Sequence, residues 1–393
     1  MSTLKVDGIR SNSATSDAIT LASNGTCTAN ITNNLSNRNL IINGAMQVAQ
    51  RGTSSTSAGY GTVDRINFQY SGTDEAPTQA QVDVASGTTP YTLGFRKAYK
   101  ITNGNQTSGA GTADFINFQI KLEAQDVANS GWNYTSSSSF ITLSFYIKSS
   151  VAQTFKGYLR AVDGTSQQYP FETGSLSADT WTKITKTVSG NSNIQIDNDN
   201  GTGFQINIGA FWGTDYSDNS VTENAWGAFA SSSRMKDNTS TWYTTNDATL
   251  EITGVQLEVG RVATDFEHRS FGEELALCQR YFYQLTKQGS TSDVTNAPIA
   301  VGNYDGSSNF QTIIPFPVQM RTNPTLISNN NSNSFYVRRN GGADFLDDLT
   351  LAYSTKNCAR IFNNTDADGG SGGIAGNLVQ ETGDSSLAFN AEL

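Results

Sequence analysis

The stretch FITLSFYIKSS, residues 140–150, alternates apolar and polar side chains along most of its length. Successive side chains of a β-strand point to opposite sides of the chain, so the apolar residues of this stretch share one face. They are Ile141, Leu143, Phe145 and Ile147. Residues 204–212, FQINIGAFW, repeat the pattern with Phe204, Ile206, Ile208, Ala210 and Trp212. Both stretches predict strands that are buried on one side.

Other short stretches of the same kind lie between clusters of Gly, Asn, Asp and Ser. They are DRINFQY, AQVDVAS, RKAYKIT, DFINFQIKL, FKGYLRAV, WTKITKTV and TLEITGVQLEVG. About ten strands at this spacing predict a two-sheet β-sandwich of jelly-roll type over residues 39–268. In residues 249–260 the alternation changes phase at Gly254, which predicts a β-bulge there.

The composition also indicates an all-β protein. Only 15% of the 393 residues are charged, and Ser, Thr, Asn and Gly fill the spaces between apolar positions. Such residues favour turns and strand faces over helices. The cysteines are Cys27, Cys278 and Cys358, and there is a single histidine. This inventory excludes a usual Cys/His zinc site, and the wide spacing of the cysteines argues against disulfides.

The charge and hydropathy of the chain exclude two classes of partner. The net charge is -10 and the sequence pI is about 4.7, with no basic cluster, so we expect no nucleic-acid partner. No apolar run approaches the roughly 20 residues that span a bilayer, and the N-terminus lacks the order of a signal peptide. We therefore expect a soluble protein made in a bacterial cytoplasm.

Residues 1–38 hold thinly spaced apolar positions in a polar background. Such a segment buries too little surface to offset its chain entropy alone, so it is either disordered or ordered by pairing with another chain. At the other end, residues 290–393 return to the β pattern and predict a smaller C-terminal β domain, with a Gly-rich loop at residues 366–377.

One connecting helix is predicted over residues 269–289. Ser270 and Glu273 have the spacing of a capping box, and Gly289 stands where a helix C-cap would fall. Apolar residues within this segment are spaced as a heptad stripe. They are Phe271, Leu275, Cys278, Phe282 and Leu285. The stripe indicates either a helix lying on a sandwich or a seam that meets symmetry copies in an oligomer.

Three blocks of sequence carry a family resemblance. They are NLIINGAMQVAQRGTSS with GYGTVDRINF, then VQLEVGRVATDFEHRSFGEELALCQRYFYQL, and then FPVQMRTNPTL. Together they resemble a group of bacteriophage and prophage virion proteins over roughly residues 38–330. The resemblance implies a jelly-roll module similar to carbohydrate-binding modules, in tail fibres or other virion appendages. The leader MSTLKVDGIRSN resembles the N-termini of cyanophage and marine-phage fibre proteins.

The same resemblance implies partners. A short N-terminal segment attaches such fibres to the particle, so residues 1–38 would contact other virion proteins. Most phage fibres are homotrimers, which would complete both the leader and the helix stripe. The protein would then reside on the tail or the capsid surface of a virion.

Candidate sugar-binding residues are aromatics in polar, loop-like surroundings, since aromatic rings stack on pyranose faces. They are Trp212, Tyr216, Trp226, Trp242 and Tyr243. The alternative for each is an ordinary core or rim position. The lone His268 lies in DFEHRSFG without a nucleophile motif nearby, and is interpreted as structural or exposed.

Two weak calcium candidates are present, although ordinary turn chemistry also explains them. They are Asp197 with Asp199, and Asn364 with Asp366 and Asp368. We expect no cofactor. The sequence as a whole predicts a non-enzymatic phage tail fibre that mediates host attachment through surface glycan. The alternatives are a head fibre or capsid decoration protein and, from another class, a polysaccharide-cleaving tail spike.

Overall fold

The computed structural model describes residues 6–13, 15, 17–21, 23, 27–29, 37–286, 297–329, 333–381 and 386–393. These residues form an all-β protein whose named strands pair in antiparallel fashion. Near the N-terminus, three short strands pair with one another. They are β1 (Gly8–Ile9), β2 (Ile19–Leu21) and β3 (Cys27–Ala29).

Two six-stranded sheets form the predicted jelly-roll sandwich. The front sheet, in spatial order, consists of β14 (Gly227–Ala228), β11 (Gln167–Ser175), β10 (Thr154–Ala161), β13 (Thr202–Trp212), β8 (Phe115–Glu123) and β5 (Ile66–Ser71). The back sheet consists of β12 (Thr182–Ser189), β9 (Phe140–Ser149), β15 (Thr249–Val259), β7 (Lys97–Thr102), β6 (Thr78–Asp83) and β4 (Ser54–Ser55). Short helices in the connections are α1 (Thr89–Thr92), α2 (Ala124–Ala128) and α3 (Thr241–Thr244).

The apolar faces of the two sheets meet in one core. All four apolar residues of the 140–150 stretch are fully buried there, as their alternation predicts. The predicted bulge at Gly254 is confirmed, since the pairing of β15 with β9 shifts register between Thr253 and Gln256. The shift returns Val255 and Leu257 to the core face.

The alternation of residues 204–212 holds only as far as Ala210. A second register shift, between Gly209 and Phe211 in the pairing of β13 with β8, inserts an extra residue. Phe211 therefore enters the core, whereas Trp212 packs on the outer side of the front sheet beside Tyr158. The prediction that Trp212 shares the core face was wrong, because strict alternation assumes a strand without a bulge.

The connecting helix α4 (Phe271–Gln279) is shorter than the predicted segment 269–289. Its capping box is confirmed: the Ser270 side chain and the Glu273 side chain each bond the other residue's backbone N–H. The helix ends because aromatic residues follow it and continue as a strand, β16 (Phe282–Thr286), paired with β25 (Ser386–Asn390). Gly289, the predicted C-cap, lies outside the described residues.

Two further sheets form the C-terminal part of the chain. The smaller one consists of β16, β25 and β19 (Thr325–Asn329). The larger one, in spatial order, consists of β21 (Gly342–Leu346), β20 (Phe335–Arg339), β24 (Ala375–Gln380), β17 (Ala297–Tyr304), β18 (Phe310–Pro315), β23 (Cys358–Asn363) and β22 (Thr350–Ser354). They enclose a separate core that includes Tyr304, Phe310 and Phe389.

A polar junction joins the sandwich to the C-terminal part. The Arg321 guanidinium donates to the backbone oxygens of Asn200, Ala391 and Glu392 at 2.7–2.8 Å. Lys121 on the front sheet donates to the backbone oxygen of Leu393 at 2.8 Å. Among the described helices, none is long and apolar enough to cross a membrane.

Candidate functional site

The outer side of the front sheet carries a patch of side-chain amides, which we call the amide face. Strands β5, β8 and β13 place apolar residues inward, so the residues between them point outward. The amide face consists of Asn67, Gln69, Asn117, Gln119, Gln205 and Asn207. The strand registers align Asn67, Gln119 and Asn207 in one row across the sheet. The next residue in that row, on β10, is Tyr158.

The amides are hydrogen-bonded to one another across the strands. Asn67 Nδ2 donates to Gln119 Oε1 at 3.1 Å, and Gln119 Nε2 donates to Asn207 Oδ1 at 2.9 Å. Asn117 Nδ2 donates to Asn207 Oδ1 at 3.0 Å and to Gln69 Oε1 at 3.2 Å. These hydrogen bonds fix the orientation of five of the six amides, those of Asn67, Gln69, Asn117, Gln119 and Asn207.

Two atoms of this network remain without a partner in the described chain. They are Asn117 Oδ1, an acceptor, and Asn207 Nδ2, a donor, and both are buried. A buried polar group without a hydrogen bond costs about 1–3 kcal/mol, so such a pair is not retained for stability. The amide face therefore has unused hydrogen-bonding capacity of both kinds at its centre.

An aromatic and arginine cluster lies beside the amide face. The Trp212 ring stacks on Phe115 with centroids 4.7 Å apart, and Tyr216 meets both rings edge-on. The Arg234 guanidinium lies 4.6 Å from the Trp212 ring centre and 4.8 Å from that of Tyr216. On β10, Arg160 covers the Phe229 ring at 3.6 Å.

Burial shifts the pKa values of two titratable groups near this cluster, Tyr158 and Arg160. It raises the pKa of Tyr158, so the phenol remains a neutral hydrogen-bonding group. Burial, together with neighbouring Arg234, lowers the pKa of Arg160. Arginine nevertheless stays charged at neutral pH because its ordinary pKa exceeds 12. The cluster thus offers partly exposed rings and two cations next to a neutral amide floor.

The exposed fraction of each residue decides what a ligand would contact first. Asn117 and Asn207 have no exposed surface, whereas Gln205 is 9% exposed. Gln69, Lys121 and Arg160 around them are half-exposed. Amides, a basic group and aromatic rings at one surface are suited to hydrogen-bonding and stacking with a polyhydroxylated ligand.

The structure separates the aromatics that the sequence grouped as sugar-binding. Trp242 and Tyr243 are fully buried in the sandwich core, so neither offers a ring to a ligand. Trp212 is 1% exposed and supports the cluster from below. Trp226 is half-buried and donates from Nε1 to the backbone oxygen of Ser189. Of the predicted set, Tyr216 is the residue that is both half-exposed and adjacent to the amide face.

The amide face itself was missed at the level of sequence. The sequence pattern that could have indicated it is the alternation of Asn and Gln with core residues in the strands INFQYS and FINFQIKLE. Outward positions of a strand are usually polar, so the pattern by itself does not distinguish a site from a solvated face.

The heptad stripe does not form a single surface. Phe271 is 55% exposed at the start of α4, and Cys278 is fully buried on the same helix, where burial raises its pKa. Leu275 is half-buried between them. Phe282 and Leu285 lie on β16. The continuous stripe was wrong because it assumed that the helix persists to residue 289.

Neither calcium candidate forms a cage of carboxylates. Asp199 Oδ1 accepts the Gly201 N–H at 2.8 Å, which is a turn contact, and Asp197 is exposed nearby. Asp366 Oδ2 accepts from the Asn363 side chain at 3.1 Å. The neighbouring candidates Asn364 and Asp368 are exposed. In the part of the chain that the structure describes, no three His, Cys, Asp or Glu side chains converge on a possible metal position.

Comparisons with known proteins give a distant likeness only. No protein-family model matches the chain. No curated protein sequence matches it either. Solved structures with a similar fold include the enzymatically active domain of tailspike protein 4 of bacteriophage CBA120, with 12% identity and a TM-score of 0.31. That match covers 56% of this chain and 21% of the tailspike chain.

Carbohydrate-binding modules are also among the similar structures. The family 11 module of Clostridium thermocellum has 10% identity and a TM-score of 0.25, covering 54% of this chain and 98% of the module. A putative sugar-binding protein of Bacteroides thetaiotaomicron has 15% identity and a TM-score of 0.28, covering 57% of this chain and 100% of that protein. At these identities and TM-scores the likeness does not indicate a function.

Proposed function

We propose that the protein is a non-enzymatic, glycan-binding virion appendage, and that the amide face is its glycan-binding surface. One observation carries the glycan assignment: the half-exposed Gln69 and Arg160 lie on the same face of the front sheet as the partly exposed Tyr216 and Phe229 rings, beside a hydrogen-bonded amide network. Sugars present hydroxyl groups that both donate and accept, together with apolar C–H faces that stack on rings. The attachment role follows from the resemblance to phage fibre proteins.

Weak binding suffices for this role if several copies act together. Linking binding sites in one particle raises the overall avidity by orders of magnitude without any new contact. A homotrimer displayed on a virion would provide such repetition. The assembly is part of the proposal, and light scattering on the purified full chain tests it directly.

Binding by the amide face is tested with the full chain on an array of bacterial surface oligosaccharides. Arg160 and Gln205 lie opposite each other in the register of β10 and β13, where Arg160 is half-exposed and Gln205 is 9% exposed. We expect Arg160→Ala and Gln205→Ala each to lower the affinity for the best glycan about tenfold, the effect of losing one charge-assisted or well-placed hydrogen bond.

Thr185→Ala is the matched control, since Thr185 is exposed on β12 of the back sheet. Circular dichroism of each variant confirms that the sandwich is intact. The assignment is wrong if the unaltered protein binds no glycan on the array, or if both front-sheet variants bind as the unaltered protein does.

The competing function is cleavage of the polysaccharide, which commonly needs two carboxyl groups flanking the bond. Two acids on the outer side of the front sheet are already engaged: Glu123 pairs with Arg280 at 2.7 Å, and Glu172 pairs with Lys156 at 2.5 Å. These ion pairs favour binding over hydrolysis. Release of reducing sugar from the bound polysaccharide would overturn the non-enzymatic assignment.

Tail and head locations are distinguished on the particle. Antibody-labelled electron microscopy would place a tail fibre at the tail and a head fibre or decoration protein on the shell. We propose that the protein is located on the tail, because a surface that binds host glycan is used for attachment to the host cell. Labelling confined to the capsid would favour the decoration role.

A further inference from the structure

A cavity of about 250 Å³ opens on the back sheet, on the opposite side of the sandwich from the amide face. Its floor is the outer side of β9 and β15, with Ser144, Tyr146 and Gly254. The segment after β6 supplies Leu93 and Phe95 as one wall. The segment after β15 supplies the other wall, which consists of Thr264, Asp265, Phe266 and His268.

Three rings form a rigid apolar wall in this cavity. The centroids of Phe95, Phe266 and His268 lie 4.9–5.1 Å from one another. His268 Nε2 lies 2.9 Å from the backbone oxygen of Leu93. A carbonyl oxygen only accepts, so Nε2 carries the proton and the contact ties the two walls together.

Four polar groups line the cavity without a hydrogen bond from their side chains to the rest of the described chain: the hydroxyls of Ser144 and Tyr146, the Lys183 ammonium and the Asp265 carboxylate. Ser144 is 4% exposed and Tyr146 is 9% exposed, so both residues are largely buried in the cavity floor. Lys183 Nζ lies 6.0 Å from the Tyr146 ring centre. Burial raises the pKa of Tyr146, and the negative charge of Asp265 raises it further.

We propose that this cavity binds one N-acetylated amino-sugar residue. Its volume is below the roughly 300 Å³ at which drug-sized pockets begin, and it suits a single sugar ring. The acetamido methyl packs against the ring wall, and the amide N–H and ring hydroxyls meet Asp265, Tyr146, Ser144 and Lys183. An unmodified hexose has no methyl group for the apolar wall. This site is independent of the amide face and does not depend on the function proposed for it.

The test is saturation-transfer-difference NMR on the full chain with N-acetylglucosamine and with N-acetylgalactosamine as probes. We expect transfer to the acetamido methyl of at least one of the two sugars. Tyr146→Phe removes one hydroxyl, and Asp265→Asn replaces one charged acceptor with an amide donor of similar shape, so each should weaken the affinity about tenfold. Gln205→Ala tests the alternative position on the amide face, and Ser138→Ala, at an exposed turn, is the control that should leave the signal unchanged.

Two results would overturn the proposal. One is the absence of saturation transfer to both sugars in the unaltered protein. The other is an unchanged signal in the Tyr146→Phe, Asp265→Asn double variant. If, in addition, the signal is lost in Gln205→Ala, the sugar binds the amide face instead of the cavity. Both pocket substitutions conserve side-chain volume, and circular dichroism of the double variant verifies its fold.

Discussion

The Arg51 guanidinium lies 3.2 Å from the Glu392 carboxylate, which joins the start of the sandwich to the end of the chain. Glu392 also accepts from Arg65, and all three side chains are at most 10% exposed. Each guanidinium covers an aromatic ring at 3.5 Å: Arg51 that of Phe282 and Arg65 that of Tyr281. Glu392 thus pairs with two buried cations, and Arg51 also lies 3.8 Å from the buried Asp64 carboxylate.

This junction brings together residues from all three of the sequence blocks described above. Arg51 belongs to the first block and Arg65 follows in DRINF. Tyr281 and Phe282 lie near the end of the second block, and Arg321 lies in the third. These residues, far apart in sequence, converge where the sandwich, α4 and the C-terminal part meet. The three blocks therefore meet at this junction, and Asn67 is the residue of the amide face that lies within them.

We predict that Glu392→Gln destabilises the protein by about 3–5 kcal/mol, the usual cost of leaving a buried charge without its partner. Urea denaturation followed by tryptophan fluorescence measures the change. The matched control is Asp83→Asn, which removes the partner of Lys97 where the aspartate side chain is 82% exposed. That surface pair should contribute less than about 1 kcal/mol. Equal effects of the two substitutions would contradict the central role of Glu392.

Asp64 gives the junction a pH dependence. Burial raises the pKa of this carboxyl to about 6, although Arg51 and hydrogen bonds from Gln50 act in the opposite direction. In the unfolded chain an aspartate titrates near 4, so between about pH 4 and pH 6 the folded protein binds more protons than the unfolded one. The contribution of Asp64 to the free energy of unfolding therefore falls as pH rises through this window.

The measurement compares urea unfolding of the unaltered protein and Asp64→Asn from pH 4 to pH 7. The unaltered protein should lose stability relative to the variant up to about pH 6, with a constant difference above it. Parallel curves across the whole range would show that Asp64 titrates alike in the folded and unfolded states.

Two aromatics of the sequence-predicted sugar set should respond in opposite ways. Trp242 has no exposed surface and donates from Nε1 to the backbone oxygen of Thr249 at 3.0 Å. Trp242→Ala should cost about 3–5 kcal/mol in stability. Tyr216→Ala should leave the fold intact and weaken glycan binding about three- to tenfold, the contribution of one aromatic contact. Urea unfolding measures the stability of both variants, and glycan-array titration measures their affinity for glycan. Weaker glycan binding by a fully folded Trp242→Ala protein would contradict the assignment of Trp242 to the core.

Sequence patterns predicted the strands well and the site poorly, for physical reasons. The core face of residues 140–150 follows from side-chain alternation alone, and the bulge at Gly254 follows from the change of phase. The outward position of Trp212 depends on a bulge at residues 209–211, and the sequence shows no change in the alternation of apolar residues there. The amides of β5, β8 and β13 become a network only through strand pairing between distant segments, which the sequence does not specify.

The same distinction applies to α4. Its start is local, since Ser270 and Glu273 interact within one turn, and the capping box was predictable. Its end is set by tertiary contacts, because Phe282 is held under Arg51 and pairs with Asn390 of β25. A heptad pattern carries no information about such distant partners.

We predict that Ser270→Ala costs about 1 kcal/mol, the typical value of an N-cap side chain. Its hydroxyl accepts the Glu273 N–H at 3.3 Å, and the substitution leaves that group without its cap. Ser138→Ala, at an exposed turn, is the control. In thermal unfolding experiments, the midpoint temperature should fall for Ser270→Ala and stay unchanged for Ser138→Ala. Equal midpoints for Ser270→Ala and the unaltered protein would mean that packing alone stabilises α4.

The last prediction concerns Gly254, where the back-sheet bulge meets the aromatic cavity. Its φ is +64°, a conformation that side chains rarely adopt, and an added Cβ would lie 2.7 Å from the Phe95 ring. Gly254→Ala should therefore destabilise the protein by about 1–3 kcal/mol, through backbone strain and overpacking. It should also displace Phe95 and abolish saturation transfer to whichever of the two N-acetylated sugars binds the unaltered protein. Gly227→Ala is the control, because a Cβ added at Gly227 would have no atom within 4 Å. If Gly254→Ala binds the sugar as the unaltered protein does, Phe95 is not part of the binding wall.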